Sequence, residues 1–352
     1  MAYTNIDDPS AYFQVATYTG NGTDNTAITY DGNSDMQPDF LWFKLRSVTG
    51  NHVLFDSTRG TSKYVRSNNN AAETTNGTLL KSFNTDGFTV GTAGNTNSNG
   101  NTLVSWGWKA NGGTTSSNTD GNITSTVQSN QDAGFSIVTY TGNGTDNQTI
   151  GHGLGVQPNW WLVKRRDSTG GWMFGASSIL GGTSNYLALD STAANTEINN
   201  IWGDSPTSST LFRVSNNARL NTNNGTYVAY LFADKQGFSK FGQYIGNGNA
   251  DGPFVYTGFK PAFIMGKRSS TTGDWFIVDN KRDIDNPADK RLFANTTAVE
   301  STSTNNEVDL LSNGFKLRRN LIQSNGSGST YIYMAFAENP FVTSTGIPTT
   351  AR

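Results

Sequence analysis

The 352-residue chain contains no cysteine, which excludes disulfide bonds, thiolate nucleophiles and thiolate metal sites. Charged residues make up only 15% of it and the formal net charge is −2, so we expect no basic surface for nucleic acid. No segment approaches the roughly 18 consecutive apolar residues of a membrane-spanning helix. Residues 1–11 lack the basic start and apolar stretch of a signal peptide. We therefore expect a protein that is made and kept in solution, without membrane insertion, and stabilised by packing and assembly.

Glycine, asparagine, serine and threonine supply much of the chain. There are 39 glycines, and glycine is about 1 kcal/mol less favourable than alanine inside a helix. Asparagine, serine and threonine compete for backbone hydrogen bonds in turns. The aromatic share of 12% argues against disorder, because aromatic side chains bury enough area to offset the entropy of ordering. The composition predicts an all-β protein of short strands joined by polar turns.

The sequence repeats itself three times. A pentapeptide of the form Tyr-x-Gly-Asn-Gly begins at Tyr18, Tyr140 and Tyr244. Each copy is followed by a proline that leads an apolar run ending in lysine. Glycine stands 12 residues after each proline, and histidine or tryptophan stands 14 after it. These positions are Pro38, Pro158, Pro261, Gly50, Gly170, Gly273, His52, Trp172 and Trp275. Because the spacings agree without a gap, they indicate three diverged copies of one unit of roughly 100 residues.

Each unit closes with a short phenylalanine-containing strand, a glycine-rich turn and a last apolar strand. The last strands begin at Thr102, Thr226 and Thr330. The apolar runs are rich in β-branched and aromatic residues on both parities, which is typical of strands covered on both faces. We therefore predict three tandem β-sandwich domains of jelly-roll or lectin-like type. The predicted boundaries are an N-terminal arm 1–12, a first repeat 13–110, a linker 111–134, a second repeat 135–234, a third repeat 235–341 and a C-terminal arm 342–352.

Candidate catalytic and metal-binding residues are few. His52 occupies the position of Trp172 and Trp275 in the other repeats, so we interpret it as a packing residue rather than a base. His152 lies in a glycine-rich stretch that leads into a strand, so no helix N-terminus is available there to hold a phosphate. The alternating oxygens at positions 31, 33 and 35 lack the distant glutamate of a calcium loop and favour a polar turn. We predict no catalytic residue, no metal and no cofactor.

Aromatic and basic residues of the second repeat are the better candidates for a binding role. Trp160 and Trp161 are consecutive, so in a strand they point to opposite faces, and Trp161 could stack on a sugar or on a partner chain. Core packing is the alternative. The cluster Lys164, Arg165 and Arg166 ends the same strand at what we expect to be an exposed turn, where solvated charge or a subunit contact is favoured over nucleic acid recognition. The predicted ligand or partner contacts are thus Trp161, Lys164, Arg165 and Arg166.

Several segments resemble a domain of unknown function that is widespread in marine tailed phages. They are the opening residues 6–13, the Tyr-x-Gly-Asn-Gly turns, residues 151–167, residues 238–259 and the ending residues 346–352. The resemblance covers essentially the whole chain. It implies a virion structural protein, of the kind described as tail fibre or capsid-associated, and it implies no enzymatic activity and no particular functional residue.

Two function classes remain open. As a structural protein, the chain would decorate the capsid or form part of the tail, and would contact other virion proteins and copies of itself. Because edge strands are normally covered, we expect a homo-oligomer, with a trimer as one candidate. As a binding module, it would be a receptor-binding tail fibre or adhesin that recognises host surface glycans. In both classes the protein is made in the host cytoplasm and ends in the virion.

Overall fold

A computed structural model describes residues 2–176, 179–302 and 307–349. Strands dominate it, and all their ladders are antiparallel, so the prediction of an all-β protein is confirmed. The helices assigned in these ranges are one 3-10 turn at Pro9–Ala11 and two α-turns, α1 at Gly94–Asn97 and α2 at Ile322–Asn325. The division into three sandwich domains stays a prediction, and we use its boundaries only to name the repeats.

The first repeat builds a four-stranded sheet in the order β1-β9-β3-β4, a three-stranded sheet β2-β8-β7 and the pair β5-β6. Its strands are β1 (Phe13–Thr19), β2 (Thr26–Ile28), β3 (Phe40–Leu45), β4 (Val53–Asp56), β5 (Lys63–Tyr64), β6 (Thr74–Thr75), β7 (Leu80–Phe83), β8 (Phe88–Val90) and β9 (Thr102–Trp108). The first and last strands pair along their whole length, from Phe13 opposite Trp108 to Thr19 opposite Thr102.

The second repeat has a similar arrangement, with two strands added to the main sheet and one strand fewer in the smaller sheet. They are β10 (Ser116–Asn118) and β11 (Ser125–Asn130), followed by β12 (Phe135–Thr141), β13 (Gln148–Gly151), β14 (Trp160–Arg165), β15 (Met173–Ala176), β16 (Asn185–Tyr186), β17 (Thr196–Glu197), β18 (Leu211–Val214) and β19 (Thr226–Phe232). The main sheet runs β10-β11-β12-β19-β14-β15, beside the pairs β13-β18 and β16-β17. The added strands come from residues 111–134, so the segment predicted as a linker extends the edge of this sheet.

The third repeat again pairs its first and last strands. The strands are β20 (Ser239–Ile245), β21 (Phe254–Tyr256), β22 (Phe259–Arg268), β23 (Trp275–Asp279), β24 (Lys290–Phe293), β25 (Ser301–Thr302), β26 (Val308–Leu311), β27 (Gly314–Leu317) and β28 (Thr330–Pro340). They form one sheet in the order β20-β28-β22-β23-β24-β25 and another in the order β21-β27-β26.

The largest apolar cluster takes residues from all three repeats. Alternation along a strand explains this, because successive side chains point to opposite faces. In β3, Phe40 and Trp42 belong to the shared cluster, whereas Leu41 and Phe43 belong to a cluster within the first repeat. The ring of Phe40 stacks on Tyr230 of the second repeat at 4.3 Å between centroids. The repeats therefore share a core, and the first and second repeats each have a further apolar cluster of their own.

One backbone hydrogen bond recurs at each junction between repeats. The glycine 12 residues after each repeat's proline donates its N–H to a carbonyl of another repeat. The pairs are Gly50 to Thr297 at 3.0 Å, Gly170 to Asn70 at 2.9 Å and Gly273 to Thr192 at 2.9 Å. The first repeat thus contacts the third, the second contacts the first and the third contacts the second. This cyclic order closes the three repeats into a ring with pseudo-threefold symmetry.

The Tyr-x-Gly-Asn-Gly motif has a structural role in every repeat. An asparagine just before the last strand accepts a hydrogen bond from the backbone N–H of the motif's own asparagine. The pairs are Asn21 to Asn97 at 2.9 Å, Asn143 to Asn221 at 2.8 Å and Asn247 to Asn325 at 2.9 Å. The motif's final glycine has a positive φ in each case, 68°, 70° and 66°, a conformation that glycine adopts without steric cost. The motif is thus a turn that holds the start of each repeat against its end.

The two arms meet on the third repeat. The hydroxyl of Tyr3 donates to the carbonyl of Gly258 at 2.7 Å, and the backbone N–H of Ser344 donates to the Asp7 carboxylate at 2.6 Å. Met1 of the predicted N-terminal arm and residues 350–352 of the predicted C-terminal arm lie outside the described residues. Within the described ranges, no helix has the length and apolar character needed to cross a membrane.

Candidate functional site

Both tryptophans at the start of β14 are buried. Trp160 lies in the shared core, at 5.6 Å between centroids from Phe241 of the third repeat. Trp161 points to the opposite face, as the strand pattern predicts, and packs edge-on against Trp202 at 5.4 Å. It is only 3% exposed. This burial leaves no open ring face for a sugar. The expectation that Trp161 could stack on a sugar is therefore corrected: the ring packs inside the second repeat.

Trp161 also depends on a glycine opposite it. A Cβ atom on Gly175 would stand 2.3 Å from the indole ring, so any larger residue there would displace the ring. Its indole N–H has no hydrogen-bond partner among the described residues. The ring borders a cavity of about 30 Å³ with Ala176, Trp202 and Pro206, which has room for about one water molecule.

Lys164 is buried, not at an exposed turn as expected. Its ammonium donates to the carbonyl of Asn70 in the first repeat at 3.1 Å and to that of Gly170 in its own repeat. Lys44 and Lys267 occupy the same place in the other repeats, and each reaches across its own junction, to Thr297 at 3.5 Å and to Thr192 at 3.1 Å. Sequence reasoning missed this role because a lysine at the end of an apolar run is usually solvated.

The three buried lysines share an electrostatic property. Burial is the main cause that lowers the pKa of Lys44, Lys164 and Lys267 to about 8 each. Backbone carbonyls surround each ammonium, which partly offsets the loss of hydration. The three junctions therefore carry the same titratable group in the same setting.

Arg165 and Arg166 differ in what they contact. Arg165 forms an ion pair with Asp167 inside its own repeat at 3.0 Å. Arg166 crosses the junction and binds Glu73 of the first repeat at 2.8 Å. Of the four residues predicted as contacts, Lys164 and Arg166 thus bind another repeat of the same chain.

The histidine or tryptophan 14 residues after each proline also bridges two repeats. Trp172 donates to the carbonyl of Arg66 at 2.7 Å, and Trp275 donates to that of Ala188 at 2.9 Å. His52 lies 3.0 Å from the carbonyl of Phe293, while its Nδ1 accepts from Trp42 at 2.7 Å, which assigns the proton to Nε2. Burial, followed by the charge of Lys44, lowers the pKa of His52 well below its usual range. The imidazole is held neutral as a bridge between repeats.

A buried charge cluster joins the first and second repeats. Arg59 binds Asp56 at 2.6 Å and Glu73 at 2.9 Å, and Glu73 also binds Arg166. The hydroxyl of Tyr230 donates to Asp56 at 2.7 Å. Burial of Glu73 acts to raise its pKa, but hydrogen bonds from Arg166 and Arg59 outweigh burial and lower it. Each charge in the cluster thus has an opposite partner or a hydrogen bond, as buried charges require.

An equivalent cluster joins the third and first repeats. Arg282 binds Asp279 at 2.6 Å and Glu300 at 3.1 Å, and Arg46 of the first repeat binds Glu300 at 2.9 Å. The indole of Trp106 donates to Asp279 at 3.0 Å, in the place of Tyr230. The two clusters differ in only one residue type, a tryptophan for a tyrosine.

The junction between the second and third repeats carries no such cluster among the described residues. The same spacing from the proline places Ala176, Ile179 and Ser269 where the other junctions have aspartate, arginine and arginine. The backbone N–H of Asn195 donates to Ser269 at 2.8 Å, as Glu73 does to Arg166 at the first junction, also at 2.8 Å. Met334 stands in the position of the tyrosine or tryptophan and is buried in the shared core. All the charged positions have changed together to neutral ones.

The third repeat exposes an apolar rim that the other repeats lack. Ile245, Phe254 and Tyr256 are 66%, 46% and 55% exposed. They lie at the end of β20 and along β21, and we call these three residues the apolar rim. Strand pairing places Thr19, Ala27 and Thr29 at the same positions of the first repeat. The rim is therefore a property of one repeat, and composition alone did not reveal it.

A polar cleft of about 210 Å³ separates the start of the first repeat from the third. Asp31 lies on its wall and forms a surface ion pair with Lys281 at 2.7 Å. Among the residues that the structure describes, no group of three or more histidine, cysteine, aspartate or glutamate side chains could hold a metal ion. His152 is buried, and its pKa is lowered to about 4, chiefly by burial.

Comparison with known proteins adds a family. A family model described as "Domain of unknown function (DUF7483)" matches residues 8–340. A search of curated proteins gave no match.

Proposed function

The chain belongs to the family described as domain of unknown function DUF7483, and we propose that it is a non-enzymatic structural protein of a bacteriophage virion. Its place is on the capsid surface or in the tail. Its partners are other virion proteins and further copies of itself. The phage origin rests on the sequence resemblance, and the structural role rests on the geometry described above.

The closed ring is the observation that carries the proposal. Three equivalent junctions join the repeats around one core, and each has a glycine, a lysine and a bridging histidine or tryptophan at corresponding positions. The result is a block that presents three related outer surfaces about a pseudo-threefold axis. Particles built on symmetry contain threefold and quasi-threefold positions, and a block of matching symmetry can make similar contacts at each.

The position of the arms also favours an assembly role. The hydrogen bond from Tyr3 to Gly258 holds the N-terminal arm against the third repeat, and the hydrogen bond from Ser344 to Asp7 joins the C-terminal arm to the N-terminal arm. The described parts of the two arms thus lie together beside one repeat. A compact block that is held at one face suits decoration better than it suits a long shaft.

Imaging of intact particles tests the proposal. The experiment is a symmetry-free cryo-electron microscopy reconstruction of head and tail, with the protein located by fitting the ring. We expect ring-shaped density in contact with other virion proteins. Particles without that density, from a lysate in which the protein accumulates, would contradict the proposal.

Recognition of host glycans is the second candidate function. The apolar rim favours it, because exposed aromatic rings such as Phe254 and Tyr256 stack on sugar faces. Binding of the full chain to a glycan array, lost in the Phe254→Ala variant and kept in Ala27→Ser, would support this candidate. Density at the tail periphery, with the third repeat pointing away from the particle, would agree with it.

A further inference from the structure

The main sheets of the three repeats differ at one edge. In the second repeat, β11 covers residues 135–140 of the first strand β12, from Ser125 opposite Tyr140 to Asn130 opposite Phe135. In the first and third repeats, the corresponding strands β1 and β20 end their sheets. The second repeat therefore shows how an added strand fits this edge.

The covering segment also reaches the smaller sheet. Ile123 forms a parallel bridge with Ile150 of β13, and its N–H donates to the carbonyl of Thr149 at 3.0 Å. Ser125 donates through its hydroxyl to the carbonyl of Gly151 at 2.8 Å. Thr149 is left only 7% exposed. One extended segment thus covers the edges of both sheets at once.

The third repeat leaves part of the same edge open. The N–H of Ser239 donates to Lys235, and the N–H of Phe241 donates to the Asp234 carboxylate at 2.8 Å, so these amides point away from β28. Alternation then directs the backbone groups of Gln243 and Ile245 outward as well. Just before β21, the carbonyl of Pro253 accepts from the N–H of Leu317 in β27, so the same alternation directs the backbone of Phe254 outward.

The apolar rim lies beside these outward-facing backbone groups. In the second repeat the equivalents of Phe254 and Tyr256 are Thr149 and Gly151, both buried under the added segment. In the first repeat the equivalents are the small residues Ala27 and Thr29. Large apolar side chains at an open edge are the combination that favours strand addition, in which the backbone supplies hydrogen bonds and the side chains supply buried area.

We propose that the open edge of the third repeat, with its apolar rim, binds an extended segment of another protein as an added strand. We expect the bound segment to lie antiparallel to β20 and in contact with β21, as residues 123–126 lie against the corresponding strands of the second repeat. It carries an aliphatic residue against the rim and no proline where it faces Gln243, Ile245 or Phe254. The inference rests on the proposed function for the source of this segment, a virion protein that is not a second copy of this chain.

A second copy is a poor source because its own matching segment is already held. Asn122, Ile123 and Ser125 are bound to β13 by hydrogen bonds within the chain. Releasing them would expose Ile123 and Val127, which are buried in the second repeat.

A peptide that copies residues 121–131 is the probe for this edge. The full chain is titrated into the fluorescein-labelled peptide, and binding is followed by anisotropy. Amide hydrogen exchange then locates the bound site. We expect saturable binding, with slower exchange at 243–245 and 254–256. A scrambled peptide of the same composition should not bind.

The matched variant gives the third repeat the rim of the first, through Ile245→Thr, Phe254→Ala and Tyr256→Thr together. We expect it to bind the peptide at least about tenfold more weakly, and the variant Ala27→Ser to bind like the natural chain. Ile245→Pro removes one outward N–H at the strand end and should weaken binding while the rim aromatics remain. Circular dichroism and thermal unfolding identify any variant that fails to fold.

Three outcomes would overturn the inference. They are no saturable binding to the natural chain, equal binding of the scrambled peptide, and a dimer in sedimentation experiments that the rim variant dissolves. The last outcome would assign the edge to a second copy. Since this assay uses the isolated protein, its failure is distinct from failure to find the protein on particles.

Discussion

Two junctions of the ring are charged and the third is neutral, although all three are built on the same plan. The plan comprises a glycine N–H, a buried lysine and a bridging histidine or tryptophan. The two charged junctions also have an aspartate, a glutamate and two arginines. At the corresponding positions the neutral junction has Ala176, Asn195, Ile179 and Ser269, respectively. The comparison distinguishes the contacts that all three junctions share, which close the ring, from the charged clusters that only two junctions have.

The neutral junction shows that ring closure does not need ion pairs. Buried ion pairs often add little net stability, because the desolvation of each charge offsets their attraction. They do penalise wrong pairings, since an unpaired buried charge is costly. With two charged junctions and one neutral junction, the reverse order of repeats would place a charged side against a neutral side at two of the three junctions. We infer that the clusters help to fix the order of repeats around the ring.

Removing one carboxylate should have the largest effect. Asp56→Ala leaves the guanidinium of Arg59, 1% exposed in its side chain, without its closest partner. We expect the free energy of unfolding to fall by about 3 to 5 kcal/mol, measured by urea denaturation followed by tryptophan fluorescence. Asn195→Ala at the neutral junction is the control, and it should lower the free energy by about 1 kcal/mol. Equal losses in the two variants would contradict the distinction between the junctions.

Converting a charged junction into the neutral type should recover stability. The triple variant Asp56→Ala, Arg59→Ile and Tyr230→Met copies the residues of the neutral junction. We expect it to be more stable than Asp56→Ala alone by about 2 kcal/mol or more, because no unpaired arginine remains buried. Glu73 keeps Arg166 as its partner in this variant. A triple variant less stable than the single one would show that the cluster is required at that position.

Much of this architecture could be predicted from the sequence, because equivalent residues of the three repeats lie at fixed spacings. The prolines, Gly50, Gly170 and Gly273 align without gaps, and all three glycines make the same bond. The aspartate and arginine of the clusters stand 18 and 21 residues after Pro38 and Pro261. That regularity is the signal in the sequence that indicates the charged junctions.

Other features could not be predicted, for physical reasons. Alternation indicates that Trp160 and Trp161 face opposite ways, but not that a neighbouring repeat and Trp202 cover them. The polar composition of 111–134 indicated a linker, yet Ile123 and Val127 suffice to anchor it to the second repeat. Contacts between repeats are long-range, and a local pattern does not specify them.

The lysines shared by all three junctions should make stability depend on pH. Their pKa is about 8 in the folded chain, against about 10.4 when unfolded. Between these values the unfolded state binds more protons, so the free energy of unfolding rises with pH, by up to about 1.4 kcal/mol per pH unit per lysine. We expect this rise from pH 8 to about 9.5, below the titration of the tyrosines.

Removing one lysine should reduce that slope by about a third. Lys164→Met deletes the ammonium of one junction, while the carbonyl of Asn70 keeps its bond from Gly170. Urea denaturation at several pH values measures the slope, and Lys63→Met, at an exposed position, is the control. An unchanged slope in Lys164→Met would mean that the buried lysine stays charged throughout this range.

The smallest effect separates two neighbouring arginines. Arg166→Ala removes a contact that crosses the junction to Glu73, so it should lower the free energy of unfolding by about 1 to 2 kcal/mol. Arg165→Ala removes a pair within one repeat whose carboxylate is more exposed, at 38% for Asp167 against 12% for Glu73, and its effect should stay within about 0.5 kcal/mol. Both are measured by urea denaturation, each with its own double-mutant cycle, Arg166 with Glu73 and Arg165 with Asp167. A larger loss of unfolding free energy in Arg165→Ala than in Arg166→Ala would contradict the stabilising role of the contact across the junction.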